Sequence, residues 1–336
     1  MIWFWVGFIA LIVLFLALDL GVFHRKAHAV TMKEALTWSA VWITTSLLFS
    51  VFIYFSYSNH WLGIGLDPVT KIAHTSGPKA MSMYLTGYVL EWSLSVDNIF
   101  VMALIFGYFK IPAIHQHRVL FWGILGAIVM RGIFIALGST IVAKFDWVLY
   151  VFGAFLIFTA IKMMFSNAEA DPSKSTILKL VYRYLPVSDH LDGEKFITRN
   201  VQVKHAHIGW ALTPLAVTLI IIEATDVVFA VDSIPAIFGV TQDPLLVFTS
   251  NIFAILGLRS MYFALAGLLD RFHLLKFSLA LILLLVGLKM VTHHWHKKIP
   301  FFFDNLSYIT LGTIVVILIA GVALSLAIPK KEKEPA

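Results

Sequence analysis

The chain contains no cysteine, which removes disulfides, thiolate metal sites, iron–sulfur ligation and thiol redox chemistry from its repertoire. Charge is scarce as well: 13% of the 336 residues are Asp, Glu, Lys or Arg, about half the share of a soluble domain. None of the 13 histidines falls well inside a long apolar run, which argues against a haem-carrying membrane cytochrome. No Ser–Lys, Ser–His or His-Glu-x-x-His set lies in those runs, so an enzyme working within the membrane is not expected. The net charge of +6 is spread over connecting segments and makes no nucleic-acid footprint.

Hydrophobic residues, at 60%, are what the chain has in abundance. They gather into nine runs long enough to cross a bilayer, near 3–20, 38–57, 82–109, 119–141, 147–165, 211–238, 246–269, 276–292 and 307–328. Continuous apolarity without alternation predicts helices and not barrel strands. The expected fold is an all-α polytopic membrane protein with nine transmembrane helices. The first run has no basic segment before it and no small-residue cleavage site after it, so it reads as a span and not as a removable signal.

Loop charges set the expected orientation. With the N-terminus outside, the cytoplasmic segments carry 16 Lys and Arg and the opposite loops 5, which places the C-terminus inside. The expected organisation is two N-terminal helices (1–81), a three-helix unit (82–165), a cytoplasmic linker (166–210), a second three-helix unit (211–292), and a last helix with a basic tail (293–336). Within the linker, an amphipathic stretch near 177–184 and turns at Pro172, Pro186 and Gly193 are predicted.

The two three-helix units resemble each other. Ser-Val-Asp-Asn-Ile at 95–99 echoes Ala-Val-Asp-Ser-Ile at 230–234, aligning Asp97 with Asp232 and Glu91 with Asp226. Farther on, 130–138 matches 258–266, pairing Arg131 with Arg259, and 160–163 matches 287–290, pairing Lys162 with Lys289. Because each copy holds three crossings, the second is upside down relative to the first. An inverted repeat of this kind is a transporter architecture, with its site near the midplane.

Glu91, Asp97, Glu223, Asp226, Asp232, Arg131 and Arg259 all fall inside predicted spans. Each ionised group at the bilayer centre costs roughly 2.5–3.5 kcal/mol before partners are counted, so these groups must face one another, water or a ligand. Glu223 and Asp226, three residues apart, share a helix face. Pairing across the pseudo-two-fold is expected to bring Asp97 opposite Asp232, and Pro235 invites a helix break beside them.

The donors are oxygens: the five acids with Asn98, Asn251, Ser95, Ser233 and Thr225, a set suited to magnesium, calcium or manganese. Metal ligation is therefore assigned to Asp97, Asp232, Glu91, Asp226, Glu223 and Asn98. Asn251, Ser233 and Met102 are additional candidates, although a helical Met102 or Met130 more often packs and Asn251 is equally suited to an inter-helix hydrogen bond. Arg131 and Arg259 are read as counter-ions or gating groups. Lys162 and Lys289 are expected to snorkel to the interfaces. Asp19 reads as a helix-end group. His115 and His117, and His293, His294 and His296, sit at span edges where solvated histidines are commoner than metal-capturing ones. The tail Lys330–Glu334 is a solvated charge run.

Glu-Trp-Ser-Leu-Ser-Val-Asp-Asn-Ile-Phe (91–100), the run Glu-Ala-Thr-Asp through Ile-Pro-Ala-Ile-Phe (223–238), and Thr-Ser-Asn-Ile-Phe-Ala-Ile-Leu-Gly-Leu-Arg (249–259) resemble the TerC family of integral membrane proteins. The nine-span layout is similar to its Alx-like branch, and the resemblance runs from about residue 10 to 325. It implies a bacterial inner-membrane protein of the LysE-type transporter group, associated with manganese homeostasis, alkaline pH and tellurite. It also implies that Asp97 and Asp232 are the characteristic intramembrane acids, with Glu91, Asn98, Glu223 and Asp226 in the same motifs. Trp92 stands where the family often has another residue and receives no role.

The expected function is a secondary transporter that exports a divalent cation, Mn2+ foremost, with exchange for protons an open option and no permanent cofactor. A calcium or magnesium transporter keeps the mechanism and changes the ion. A non-transporting stress-response partner is the competing reading. Redox modulation, attributed to some family members, ranks low in a chain with no cysteine.

Overall fold

The computed structural model describes residues 2–18, 30–66, 75–165, 176–203, 206–266, 272, 274–292 and 300–328. Its helices are α1 (Ile2–Leu18), α2 (Met32–Ser58), α3 (Gly77–Tyr108), α4 (Ala113–Lys144), α5 (Val148–Phe165), α6 (Thr176–Tyr184), α7 (Pro214–Phe238), α8 (Pro244–Leu256), α9 (Leu258–Leu265), α10 (Leu275–Val291) and α11 (Pro300–Ala327). Two strands, β1 (Ile197–Val203) and β2 (Ala206–Leu212), stand between α6 and α7.

Local signals explain where several helices begin. Thr31 accepts a hydrogen bond from Glu34 N and so caps α2, and Asp243 accepts one from Leu245 N and caps α8. Proline occupies the first turn of α3, α7 and α8, where its missing N–H would have had no helical partner.

This is a polytopic helical membrane protein. Among the described residues, α2, α3, α4, α5, α7 and the Asn305–Ala327 part of α11 are long and apolar enough to cross a bilayer. α8 and α9, bent by 42° at Gly257, make a seventh crossing if the pair is one span. α1 and α10 have 17 residues each, about 26 Å of helix against a core of roughly 30 Å. At 32 residues each, α3 and α4 extend to about 48 Å, so both tilt or project beyond the hydrocarbon.

The sequence reading is corrected at two places. No helix breaks at Asp232: α7 runs through Pro235 and ends at Phe238, although the proline leaves the Val231 carbonyl without its helical N–H partner. The break falls at Gly257 instead, inside the run predicted as one seventh span. The linker is also more than an amphipathic stretch with turns. β1 and β2 pair antiparallel, with Ile197 opposite Leu212 and Val203 opposite Ala206, so Ala211 and Leu212 belong to a strand and the sixth span begins only at Pro214. The amphipathic helix itself is present as α6, burying Leu178 and Val181. Asp19, Pro172, His293, His294, His296 and the Lys330–Glu334 tail lie outside the described residues.

Three large apolar clusters, with a small one of Ile124, Ala127 and Ile255, hold the bundle. One joins Leu90 of α3 and Leu156 of α5 to Ala230, Ile234 and Ile237 of α7 and Val286 of α10. A second joins Ile99 and Phe106 of α3 to Val217 and Ile221 of α7, and takes in Leu178 of α6, which fastens the linker to the bundle. The third is largely aromatic and seats Phe8 of α1 against Phe49 and Phe253, and Phe4 against Phe52. α3 is the hub, touching α2, α7, α8, α9, α10 and α11.

Candidate functional site

Four helices each contribute one polar side chain to a single buried cluster. Arg131 of α4, 1% exposed, donates from Nη2 to Asp226 Oδ1 at 2.9 Å and from Nε to Oδ2 at 3.3 Å. Its Nη1 is ion-paired with Glu91 Oε1 of α3. The other oxygen of Glu91 accepts a hydrogen bond from Asn251 Nδ2 of α8 at 2.9 Å. Glu91 and Asn251 are both 0% exposed, and Asp226 is 6% exposed. A guanidinium suits this place because its fork meets a carboxylate with two parallel donors, and burial strengthens the pairing. The amide oxygen of Asn251, buried beside Glu91, has no hydrogen-bond partner.

Glu223 lies one turn from Asp226, half-buried, with its carboxylate against Gly126 of α4 so closely that a Cβ there would land on it. A small cavity of about 10 Å³, near the room one water needs, is lined by Arg131, Asp226, Met102, Ala127, Ile255 and Leu258 among others.

The structure does not bring Asp97 and Asp232 together. α3 and α7 run antiparallel, since Leu90 clusters with Ala230, Ile234 and Ile237 while Ile99 clusters with Val217 and Ile221. Glu91 and Asp226, both held by Arg131, mark the level where the two helices cross. Asp97 follows Glu91 by six residues and Asp232 follows Asp226 by six. On antiparallel helices those steps lead in opposite directions, about 9 Å each and some 18 Å in total. The expected face-to-face aspartate pair is therefore replaced by three levels, with the Arg131 cluster in the middle.

Each outlying aspartate has its own surroundings. Asp97 is half-buried and feels the charge of Lys276 at the start of α10. Asp232 is half-buried, accepts a hydrogen bond from Thr159 Oγ1 at 3.3 Å and feels the charge of Lys162. Thr159, Lys276 and Gly126 carried no role in the sequence reading. For Thr159 the available signal was its place three residues before Lys162, on the same face of α5.

Among the other candidates, Asn98, Ser233 and Met102 are buried. The hydroxyls of Ser95 and Ser233 have no hydrogen-bond partner, whereas Thr225 spends its hydroxyl on Ile221 O of its own helix. Arg259 is buried on α9, 7% exposed. Lys162 is exposed, in keeping with an interfacial ammonium. Lys289 is only half-buried and has the charge of Lys79 acting on it. His115 and His117 lie in the first two turns of α4 and are half-buried. Among the described residues, no group of three or more His, Asp or Glu is arranged to hold a metal ion.

A membrane-embedded bundle with a guanidinium clamped between acids of two other helices defines the class: a polytopic integral membrane protein with a charged interior. More narrowly, the chain belongs to the TerC family of integral membrane proteins, whose family model matches residues 76–333. Its relatives include an uncharacterised membrane protein of Myxococcus xanthus, 45% identical over 323 residues, covering 96% of this chain and 91% of the relative. A proposed membrane-bound redox modulator, Alx of Escherichia coli strain K12, is 44% identical over 318 residues, covering 94% and 91%. An uncharacterised membrane protein of Rickettsia bellii is 40% identical over 323 residues, covering 96% of each chain. No solved structure matches the chain.

Proposed function

We propose that this TerC-family protein is a secondary transporter that exports divalent cations, Mn2+ foremost, across the bacterial inner membrane, in exchange for protons. The observation that carries the reading is the buried Glu91–Arg131–Asp226–Asn251 cluster joining four helices. With Glu223 beside it, the middle level carries three acids and one arginine, an excess of negative charge that a cation or protons can answer. Asp97 and Asp232 flank that level on either side, which suits them to stepping stones for an ion entering and leaving. Asn98, Ser233 and Met102 are the neutral side chains proposed to help.

The nine-span layout, with the N-terminus outside and the C-terminus in the cytoplasm, is part of the proposal. So is the inverted repeat of two three-helix units, 82–165 and 211–292. Two features support the repeat. Arg131 bridges Glu91 and Asp226, the equivalent acids of the two copies. In addition, α5 packs along α10, its repeat equivalent, through a close glycine seam. A Cβ on Gly153 would meet Gly287 O at 3.0 Å, and one on Gly287 would meet Gly153 O at 2.9 Å. In the register that pairs Lys162 with Lys289, Ala160 corresponds to Gly287 and Ala280 to Gly153, and both alanines are fully buried.

The name of the Escherichia coli relative favours a second reading, redox modulation. This chain has no cysteine, so such a role would run through another protein's redox group. Metal flux into reconstituted vesicles, with and without a pH gradient and with Ca2+ and Mg2+ as competitors, separates the readings. Mn2+ movement that responds to the gradient and slows in Asp97→Asn and Asp232→Asn supports transport. Vesicles that move none of the three ions refute it.

A further inference from the structure

We infer that Arg131 is a displaceable internal counter-ion, a tethered cation that holds the acids of the middle level until the transported ion takes its place; this rests on the transport reading above. All four carboxylate oxygens of Glu91 and Asp226 are occupied. Arg131 takes both oxygens of Asp226, at 2.9 and 3.3 Å, and one of Glu91, and Asn251 takes the other at 2.9 Å. A hard divalent cation needs about six oxygen donors, and neither Glu91 nor Asp226 has an oxygen that Arg131 or Asn251 does not already engage. An ion that takes Glu91 and Asp226 as ligands therefore competes with the Arg131 pairing.

The surroundings are consistent with exchange and not with a permanent strut alone. Asn251 keeps a buried amide oxygen with no hydrogen-bond partner, one more oxygen donor beside Glu91. The small cavity lies directly against Arg131 and Asp226, and Met102 lines its wall. Charge also matches the exchange: Glu91 and Asp226 together carry −2, which Arg131 half-neutralises and a divalent ion neutralises fully. In the absence of the ion, the arginine spares the membrane two bare carboxylates, and it sets a threshold the ion must overcome.

The test compares Mn2+ binding to the full-length protein, purified in lipid nanodiscs, for wild type, Arg131→Gln, Arg131→Ala and Arg131→Lys, by Mn2+-dependent thermal stabilisation. Removing the competitor is expected to tighten Mn2+ binding by about tenfold or more in Arg131→Gln. Arg131→Lys, which keeps the charge but loses the fork, falls between the two. Free guanidinium at millimolar concentration competes with Mn2+ in Arg131→Ala but not in wild type, and tetramethylammonium at the same concentration competes in neither. A merely structural arginine lowers the melting temperature without creating guanidinium competition. If Arg131→Gln and Arg131→Ala do not fold, Arg131→Lys decides the matter: wild-type affinity in that variant overturns the assignment. Wild type that binds Mn2+ while the folded variants bind it no tighter removes the counter-ion role and leaves transport standing. Wild type that binds none of Mn2+, Ca2+ or Mg2+ removes both.

Discussion

Arg131 grips Asp226 with two nitrogens, at 2.9 and 3.3 Å, while its third reaches Glu91, so one guanidinium ties α4 to α3 and α7 in the middle of the bundle. The grip cross-links three helices at that level, where Glu223 of α7 also lies against Gly126 of α4, and it makes the acids there unequal in what they hold.

Asp226→Asn is expected to be the most destabilising neutralisation in the cluster. It removes the bidentate acceptor and leaves a buried cation with one partner, a loss of about 3–5 kcal/mol for a broken buried pair. Asn251→Ala removes one hydrogen bond to a charged group, about 1.5–3 kcal/mol. Thermal unfolding of the purified protein should therefore rank Asp226→Asn below Asn251→Ala, and both below wild type. The opposite order would mean that Arg131 depends more on Glu91 than on Asp226.

Gly126 faces the Glu223 carboxylate with no room for a methyl group. Gly126→Ala should push that carboxylate aside and lower cation flux while leaving the clamp around Arg131 intact. Gly312 of α11 is the control, because nothing lies within 4 Å of its added Cβ. There the alanine stabilises the helix by about 0.5–1 kcal/mol. Flux and melting temperature measured together distinguish the two sites, and unchanged flux in Gly126→Ala would take Glu223 out of the pathway.

Much of this was legible in the residues themselves. Apolar runs located most of the helices, and the expense of charge in lipid singled out seven groups, Glu91, Asp226 and Arg131 among them, as needing partners, water or a ligand. Their neighbour Asn251 was equally visible as a hydrogen-bonding group. The level at which antiparallel helices cross was not legible. The proposed repeat aligns Asp97 with Asp232, but Arg131 joins Glu91 of α3 to Asp226 of α7, and that is the level at which these antiparallel helices meet. Six residues beyond that level on each helix, the antiparallel course carries Asp97 and Asp232 apart. Gly257 was likewise hidden, because a glycine in a run of aliphatics carries no local mark of whether the helix bends there. The paired strands 197–203 and 206–212 escaped because the second joins an apolar run without a break in composition.

At one end of the bundle Tyr57 donates to Asp243 Oδ2 at 2.6 Å, while Asp243 Oδ1 caps α8 by accepting from Leu245 N at 3.0 Å. Asp243→Ala removes both bonds and Tyr57→Phe removes one. Tyr57→Phe should cost about 1.5–3 kcal/mol, the range for a hydrogen bond to a charged group. Asp243→Ala should add a cap loss of about 1 kcal/mol. Melting temperatures of the two variants and their double check this. The double should melt no lower than Asp243→Ala alone, since the tyrosine has then already lost its acceptor.

The seam between α5 and α10 makes a sharper demand because its two glycines fill the same gap from opposite sides. A methyl on Gly153 meets Val291 Cγ2 at 2.8 Å and Met290 Cβ at 3.0 Å, and one on Gly287 meets Ile157 Cγ1 at 2.9 Å and Ile157 N at 3.2 Å. Backbone lies close on both sides, so neither strain relaxes by turning a side chain, and each alanine should cost about 1–3 kcal/mol by forcing the helices apart. Once one substitution has opened the seam, the second finds the space already made. Gly153→Ala with Gly287→Ala should therefore lose less stability than the two single losses added together, as neighbours coupled through one gap do. Strict additivity in thermal unfolding would mean that the two glycines sit in separate contacts, and it would remove the support that this seam gives to a two-fold relation between α5 and α10.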